Sequence, residues 1–295
     1  MSEVETGPDA DSGDRAFATL QDLLPKHLLS RGMHGLARST TPWLRNLIIR
    51  TVLRSYPTID LGEAVQPDPF AYASFNAFFT RALRPGARPI SPGERDLACP
   101  VDGTVSQLGR IAGDQVYQAK GTHYTSGALL ADEDAARRYR DGAYACLYLA
   151  PYNYHRIHMP LAGRLTATRY VPGDLFSVNA STVRAVPGLF ARNERVVCEF
   201  ETALGPLALV LVGALFVGSI ETVYSGEVNP PASRGGRVTS LPDGLGRDFD
   251  KGAEIGRFNM GSTVVMLLGN GSTRFAPGLR PATPVRMGQL LATVG

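Results

Sequence analysis

Apolar residues along this 295-residue chain change their spacing once, near residue 97. Before that point they recur every three or four positions. Leu20, Leu23, Leu24 and Leu28 fall at helical spacing, with Pro25 as an interruption. Thr40-Thr41-Pro42 is a helix-start pattern. After it Trp43, Leu44, Leu47, Ile48, Val52 and Leu53 alternate with Arg45, Arg50 and Arg54. The spacing predicts helices across 15–56 and another over 72–83. Beyond residue 97, short segments with β-branched residues recur at 143–149, 165–171, 196–200, 207–212, 264–268 and 290–294, separated by Gly, Pro and Asn. One helix, over 127–139, interrupts them. The longest apolar run, 207–217, contains β-branched residues and Gly213, and reads as buried strands. The expected class is α+β with a mainly antiparallel β core.

Composition agrees with that reading. Gly and Pro make up 53 of the 295 residues, well above the usual ~12%; such punctuation suits short strands joined by turns. The length is enough for one large core, or a core with a small helical appendage. Three segments are expected: a disordered acidic tail over 1–14, a helical segment over 15–56 and a main domain over 57–295.

Charge is uneven. The net +3 includes five acids and no base in residues 1–14, leaving +8 on the rest. Residues 15–54 hold seven bases against one acid, Asp22. A basic stretch of this kind suits nucleic acid or an anionic membrane. The aromatic-rich basic signature of an RNA-binding sheet is missing, so no nucleic-acid partner is expected. An apolar face with one Trp opposite an Arg-rich face suits a helix lying in a membrane interface; packing on the protein's own core is the equal alternative. No run reaches the ~18–20 apolar residues of a membrane span, and no secretory signal is visible. Cys99, Cys146 and Cys198 lack metal or redox spacing, which reads as a reduced, cytosol-facing protein.

Four residues are candidates for chemistry. His155 and His158 lie in Tyr154-His155-Arg156-Ile157-His158-Met159-Pro160. They read as a metal pair without a third ligand, as surface histidines, or as a catalytic pair on a rigid turn. Asp102, in Pro100-Val101-Asp102-Gly103, reads as a turn aspartate or as the orienter of a histidine. Ser262 follows Met260-Gly261 and precedes a buried-strand pattern. The second Gly-Ser-Thr, at 271–273, lacks such framing. No Gly-x-Ser-x-Gly elbow is present, which disfavours an α/β-hydrolase. Only Lys26, Lys120 and Lys251 are available for a pyridoxal Schiff base.

Taken in order, several segments resemble bacterial-type phosphatidylserine decarboxylase. They are Ser74-Phe75-Asn76-Ala77-Phe78-Phe79-Thr80-Arg81 with Arg88-Pro89-Ile90, then residues 100–109, then Gln118-Ala119-Lys120-Gly121. Residues 154–160, 171–179, 189–197, 212–223 and 254–265 follow. The resemblance runs from about Leu20 to the C-terminus. Met260 stands where the family commonly has Leu, an apolar exchange of similar size.

The resemblance implies self-cleavage between Gly261 and Ser262, giving a β chain 1–261 and an α chain 262–295. It assigns Asp102, His158 and Ser262 to a charge relay for that cut. Ser262 becomes a covalent pyruvoyl group that forms an imine with the amine of phosphatidylserine, with neither metal nor pyridoxal phosphate. His155 is the candidate proton donor to carbon. The product is phosphatidylethanolamine. Phe176, Ser177 and Val178, in the loop after Pro172, are candidates for substrate binding, or else core residues. The resemblance further implies a homodimer, peripheral on the cytoplasmic side of the cell membrane, and it favours the membrane reading of the N-terminal helices. A serine hydrolase using the same three residues uncut, and a non-enzymatic membrane-associated β domain, are the competing readings.

Overall fold

The computed structural model describes residues 10–119, 122–215, 219–228, 237–259 and 262–295. Its class is the expected one, helices together with mainly antiparallel sheets. The largest sheet runs in the order 239–240, 163–171, 195–202, 205–212, 262–268, 143–149, 103–110 and 284–285, every pair antiparallel. The strand Ser262–Leu268 lies between Gly205–Val212 and Ala143–Leu149 and is buried at every position.

That burial explains the continuous apolar runs in the sequence. Val264, Met266 and Leu268 enter one core, while Val265 and Leu267 enter another on the opposite face. Leu207, Leu209 and Leu211 likewise face the first core, and Ala208, Val210 and Val212 the second. A strand covered on both faces does not alternate. The first core is closed by Ile157, Ile220, Ile255 and Phe258 of a four-stranded sheet, the second by residues such as Leu129, Tyr139, Phe176 and Phe190. Each large aliphatic or aromatic side chain so buried contributes about 1.5–3 kcal/mol.

Three helices precede this body: α1 (Ser12–Leu23), α2 (Lys26–Ala37) and α3 (Pro42–Ser55). The helix thus starts inside the stretch expected to be a disordered tail over 1–14. Asp11 caps it through a reciprocal bond pattern with Asp14. The buried Asp14 also accepts from Arg184 at 2.8 and 3.0 Å. Residues 1–9 lie outside the described residues. Gln21 ties α1 further, accepting from the Ser177 backbone N–H at 2.7 Å and donating to Thr182 at 3.1 Å.

The Trp43 helix packs on the protein's own core with one side and leaves apolar side chains exposed on the other. Ile49 is buried with Phe75, Phe78 and Phe79, whereas Trp43 and Leu47 are 69% and 55% exposed. No helix among the described residues is long and apolar enough to cross a membrane.

Two expected helices come out shorter. The one over 72–83 is only α4 (Phe75–Phe79). Its continuation is drawn into pairing with 63–65, through Val65 N–H to the Ala82 carbonyl at 3.0 Å and Arg84 N–H to the Glu63 carbonyl at 2.9 Å. The one over 127–139 breaks at Ala131, whose φ of 53° is left-handed, and Asp132 caps a fresh turn by accepting from the Ala135 N–H at 3.0 Å.

Candidate active site

Ser262 opens the central strand and pairs with Leu149 of the neighbouring one. It is 0% exposed, and its Oγ is buried without a hydrogen-bond partner among the described residues. Met260 and Gly261 lie outside the described residues, and with them the bond expected to be cut.

His155 follows the strand Ala143–Leu149 and is held at its backbone by Phe258, whose N–H donates to the His155 carbonyl at 3.1 Å. The ring is 0% exposed and lies 4.0 Å, centroid to centroid, from that of Phe79. Its Nδ1 is 2.8 Å from the Asn153 carbonyl oxygen, so Nδ1 carries the proton and donates. Nε2 is then a lone-pair acceptor, and it too is buried with no partner. Burial pushes the pKa down to about 3, so the imidazole is neutral at pH 7.

His158 is more engaged. Nδ1 donates to the Gly252 carbonyl at 2.8 Å, which makes Nε2 the acceptor for the Tyr154 hydroxyl at 3.0 Å. Burial lowers its pKa as well, and pushes the Tyr154 phenol up. The backbone N–H of His158 donates to the Pro100 carbonyl at 2.9 Å, two residues before Asp102. Gly103, just after Asp102, faces the Tyr148 carbonyl so closely that a Cβ would clash with it, so the tight approach here requires glycine.

Asp102 is not hydrogen-bonded to His158. Its carboxylate takes Arg88 Nε at 2.9 Å, Arg88 Nη2 at 2.6 Å and the Met287 N–H at 2.8 Å. Arg88 also reaches Glu63 at 2.8 Å. A cleft of about 760 Å³ lies against Tyr56, Arg81, Arg88, Asp102 and Tyr154. Asp102, His155, His158 and Ser262 thus lie on the segments around one end of the central strand, but the expected relay is not hydrogen-bonded. Of these four side chains, the polar atoms without a partner among the described residues are Ser262 Oγ and His155 Nε2.

The loop residues expected to bind substrate separate. Phe176 is a core residue, fully buried, with Lys26 Nζ 3.5 Å and the Arg192 guanidinium 4.8 Å from its ring centre. Ser177 is taken up by Gln21. Val178 borders an apolar cavity of about 250 Å³ with Tyr148 and Val183. The three cysteines are free and buried, and burial pushes the Cys99 and Cys198 thiols up to about 12, which makes them poor nucleophiles. Among the described residues, no three His, Cys, Asp or Glu side chains are placed to hold a metal.

Arg88, Tyr154, Phe79 and Asn153 were not singled out from the sequence. The first three stand inside the family-like stretches, which was the only signal available for them.

Comparison with known proteins gives two family matches. Residues 75–293 match the model described as phosphatidylserine decarboxylase, and residues 16–57 match one described as PSD. Similar curated proteins include a phosphatidylserine decarboxylase proenzyme of Methylococcus capsulatus, 49% identical over 95% of this chain and 96% of that one. Those of Shewanella sp. (strain ANA-3) and Methylibium petroleiphilum are each 51% identical over 95% of this chain, covering 97% and 98% of theirs.

Proposed function

The chain belongs to the phosphatidylserine decarboxylase family, and from that premise we propose that it decarboxylates phosphatidylserine with a pyruvoyl group that it makes from Ser262 by cutting its own backbone. The observation that carries this reading is the state of Ser262: fully buried, Oγ without a partner, at the start of the central strand. A hydrolase serine must meet an external ester. A serine sealed this way suits attack on the carbonyl joined to its own nitrogen.

The cut proceeds as ordinary nucleophile activation. A base takes the Oγ proton, Oγ bonds to the Gly261 carbonyl carbon, and the C–N bond breaks as the Ser262 nitrogen is protonated. Loss of the Cα proton with cleavage of the Cβ–O bond then frees the Gly261 carboxylate and leaves dehydroalanine; its imine tautomer adds a water molecule and releases ammonia, which leaves the ketone. On the family resemblance His158 is the base and Asp102 its orienter. The pair is supported by the bond from the His158 backbone N–H to the Pro100 carbonyl, two residues before Asp102. Tyr154 and Arg88 now occupy the two functional ends, so those contacts must open for the relay to form.

The orphan Oγ fits the residue from which the group arises. When present, the pyruvoyl ketone supplies a sink for the electron pair released as CO₂ leaves. The chain's own contribution is proton handling at His155 Nε2. Substrate arrives as an ammonium and must shed a proton before its nitrogen can bond. That proton goes to solvent or another base, because the buried ring is too weak a base to take it. His155 Nε2, buried without a partner among the described residues, is the candidate from which a proton reaches carbon once the anionic substrate has raised the affinity of the ring for it.

The place of action is part of the same proposal. Of the thirteen large hydrophobic residues exposed among the described residues, seven lie between Phe17 and Trp43 or Leu47 of the N-terminal helices. With their excess of arginine, these helices suit the surface of an anionic membrane, from its cytoplasmic side. A homodimer belongs to this reading on the resemblance alone. Accurate mass of the piece ending at Gly295 tests the core of it. We expect a fragment 262–295 with a blocked N-terminus; an active, unbroken chain would overturn the proposal.

A further inference from the structure

On the far side of Arg81 a second cleft, of about 630 Å³, is walled by Arg38, Asn76, Arg81, Arg156, Glu221 and Arg257. Three of its four guanidiniums have carboxylate partners. Arg38 meets Glu227 at 2.9 Å, Arg156 meets Glu254 at 2.7 Å, and Arg257 pairs with Glu221. Arg81 has no such partner among the described residues. It is only 5% exposed, its Nε is buried with no acceptor, and its near neighbour is the Phe78 ring, 5.5 Å from the guanidinium carbon. Arg38 adds a second buried donor without an acceptor, its Nη1. An arginine does not relieve its burial by losing its proton, and each unmet charged donor is destabilising. Two of them against one cleft call for an anion with several oxygens.

The cleft adjoins the proposed chemistry. Phe79, two residues before Arg81, supports the His155 ring. Asn76 in its wall donates to Asn259 at 3.1 Å, three residues before Ser262. It also reaches Arg38, which follows α2 and stands in the chain between the exposed Leu36 and Trp43.

Phosphatidylserine presents two anionic groups. The carboxylate must give up its charge as CO₂ leaves, so a fixed cation on it would stabilise the reactant over the transition state. The phosphodiester keeps its charge throughout, and binding it equally in both states lowers KM without changing kcat. We propose that Arg81, assisted by Arg38, receives the phosphodiester of the phosphatidylserine headgroup and so positions the amine end toward Ser262. This rests on the decarboxylase reading above.

The test is Arg81→Gln in the full chain. Self-cleavage involves no phosphate, so the variant should still yield fragments meeting at 261/262, which reports an intact fold and is independent of headgroup binding. In detergent micelles at a fixed surface fraction of phosphatidylserine, KM should rise at least about tenfold, as for a lost bond to a charged group, with kcat within about twofold. An unchanged KM, or a fall in kcat alone, overturns the proposal. Phosphatidylglycerol added to the micelles should compete in the wild type and less in the variant. Competition by inorganic phosphate but not by that lipid would mark a site for soluble anions and also overturn it. If Arg81→Gln does not cut itself, Arg38→Gln carries the same test, with the same KM rise expected and the same result fatal. An uncut wild-type chain that converts lipid would sink the pyruvoyl reading while leaving the KM comparison readable.

Discussion

Arg88 holds Asp102 through two nitrogens, Nε at 2.9 Å and Nη2 at 2.6 Å, in a pair whose side chains are both almost fully buried. The aspartate therefore reaches the site already neutralised, and the arginine is in turn shared with Glu63. Removing one partner leaves an uncompensated buried charge. We expect Arg88→Ala to destabilise the chain by about 3–5 kcal/mol and to slow self-cleavage, measured by urea unfolding and by fragment yield. Unfolding at the wild-type midpoint would show that the pair is not closed in solution.

Ser262→Ala should remain one 31.6 kDa chain without decarboxylase activity. It should also be no less stable than the uncut precursor, because it removes a buried hydroxyl that has no partner among the described residues, worth about 1 kcal/mol or more in relief. A lower unfolding midpoint would mean that Oγ is bonded in solution.

The histidines should separate two activities. His158→Ala is expected to prevent the cut. His155→Ala should permit it while slowing decarboxylation about 10²–10⁴-fold, the usual contribution of a proton-transfer group. Gel analysis and CO₂ release read the two. Equal loss of cutting in both variants would refute this division.

His155 also sets a pH dependence. Its pKa falls from 6.5 to about 3 on burial, so between those values the unfolded chain binds a proton that the native chain refuses. Stability therefore rises with pH in this window and falls on acidification below 6.5, by up to about 1.4 kcal/mol per pH unit from this residue. His158, lowered for the same reason, acts in the same direction. In His155→Gln the slope of unfolding free energy between pH 6 and 5 should flatten; an unchanged slope would contradict a neutral buried ring.

Trp43 and Leu47 point away from the core that Ile49 enters. Trp43→Glu with Leu47→Glu should leave the unfolding midpoint nearly unchanged and weaken sedimentation with phosphatidylglycerol vesicles. The buried apolar area lost is worth several kcal/mol if both side chains enter the interface. Equal vesicle binding would remove these helices from the membrane surface.

Local pattern settled much of this protein. The strands Ala143–Leu149 and Leu290–Val294 have the expected bounds, and the central strands differ from expectation by at most two residues at either end. Runs of apolar and β-branched side chains can hardly be placed except in a sheet buried on both faces, and the ordered family motifs pointed to Ser262, Asp102 and the two histidines. Helix ends were less legible. Long-range pairing of residues 82–84 with 63–65 truncated α4, and nothing near Phe79 announces it.

What only tertiary structure decided is who bonds to whom. Asp102 takes one partner from Arg88 and another from the Met287 backbone, 185 residues away, instead of His158. His155 and His158 are alike in sequence. They become different bases because Asn153 claims one nitrogen of the first, while Gly252 and Tyr154 claim both of the second. Phe176, which the sequence left open as substrate-binding or core, is buried in the core with Lys26 over its ring. A hydropathy pattern records which side chains avoid water. It carries no record of which buried donor will find which acceptor, since that depends on distances closed only when remote segments pack.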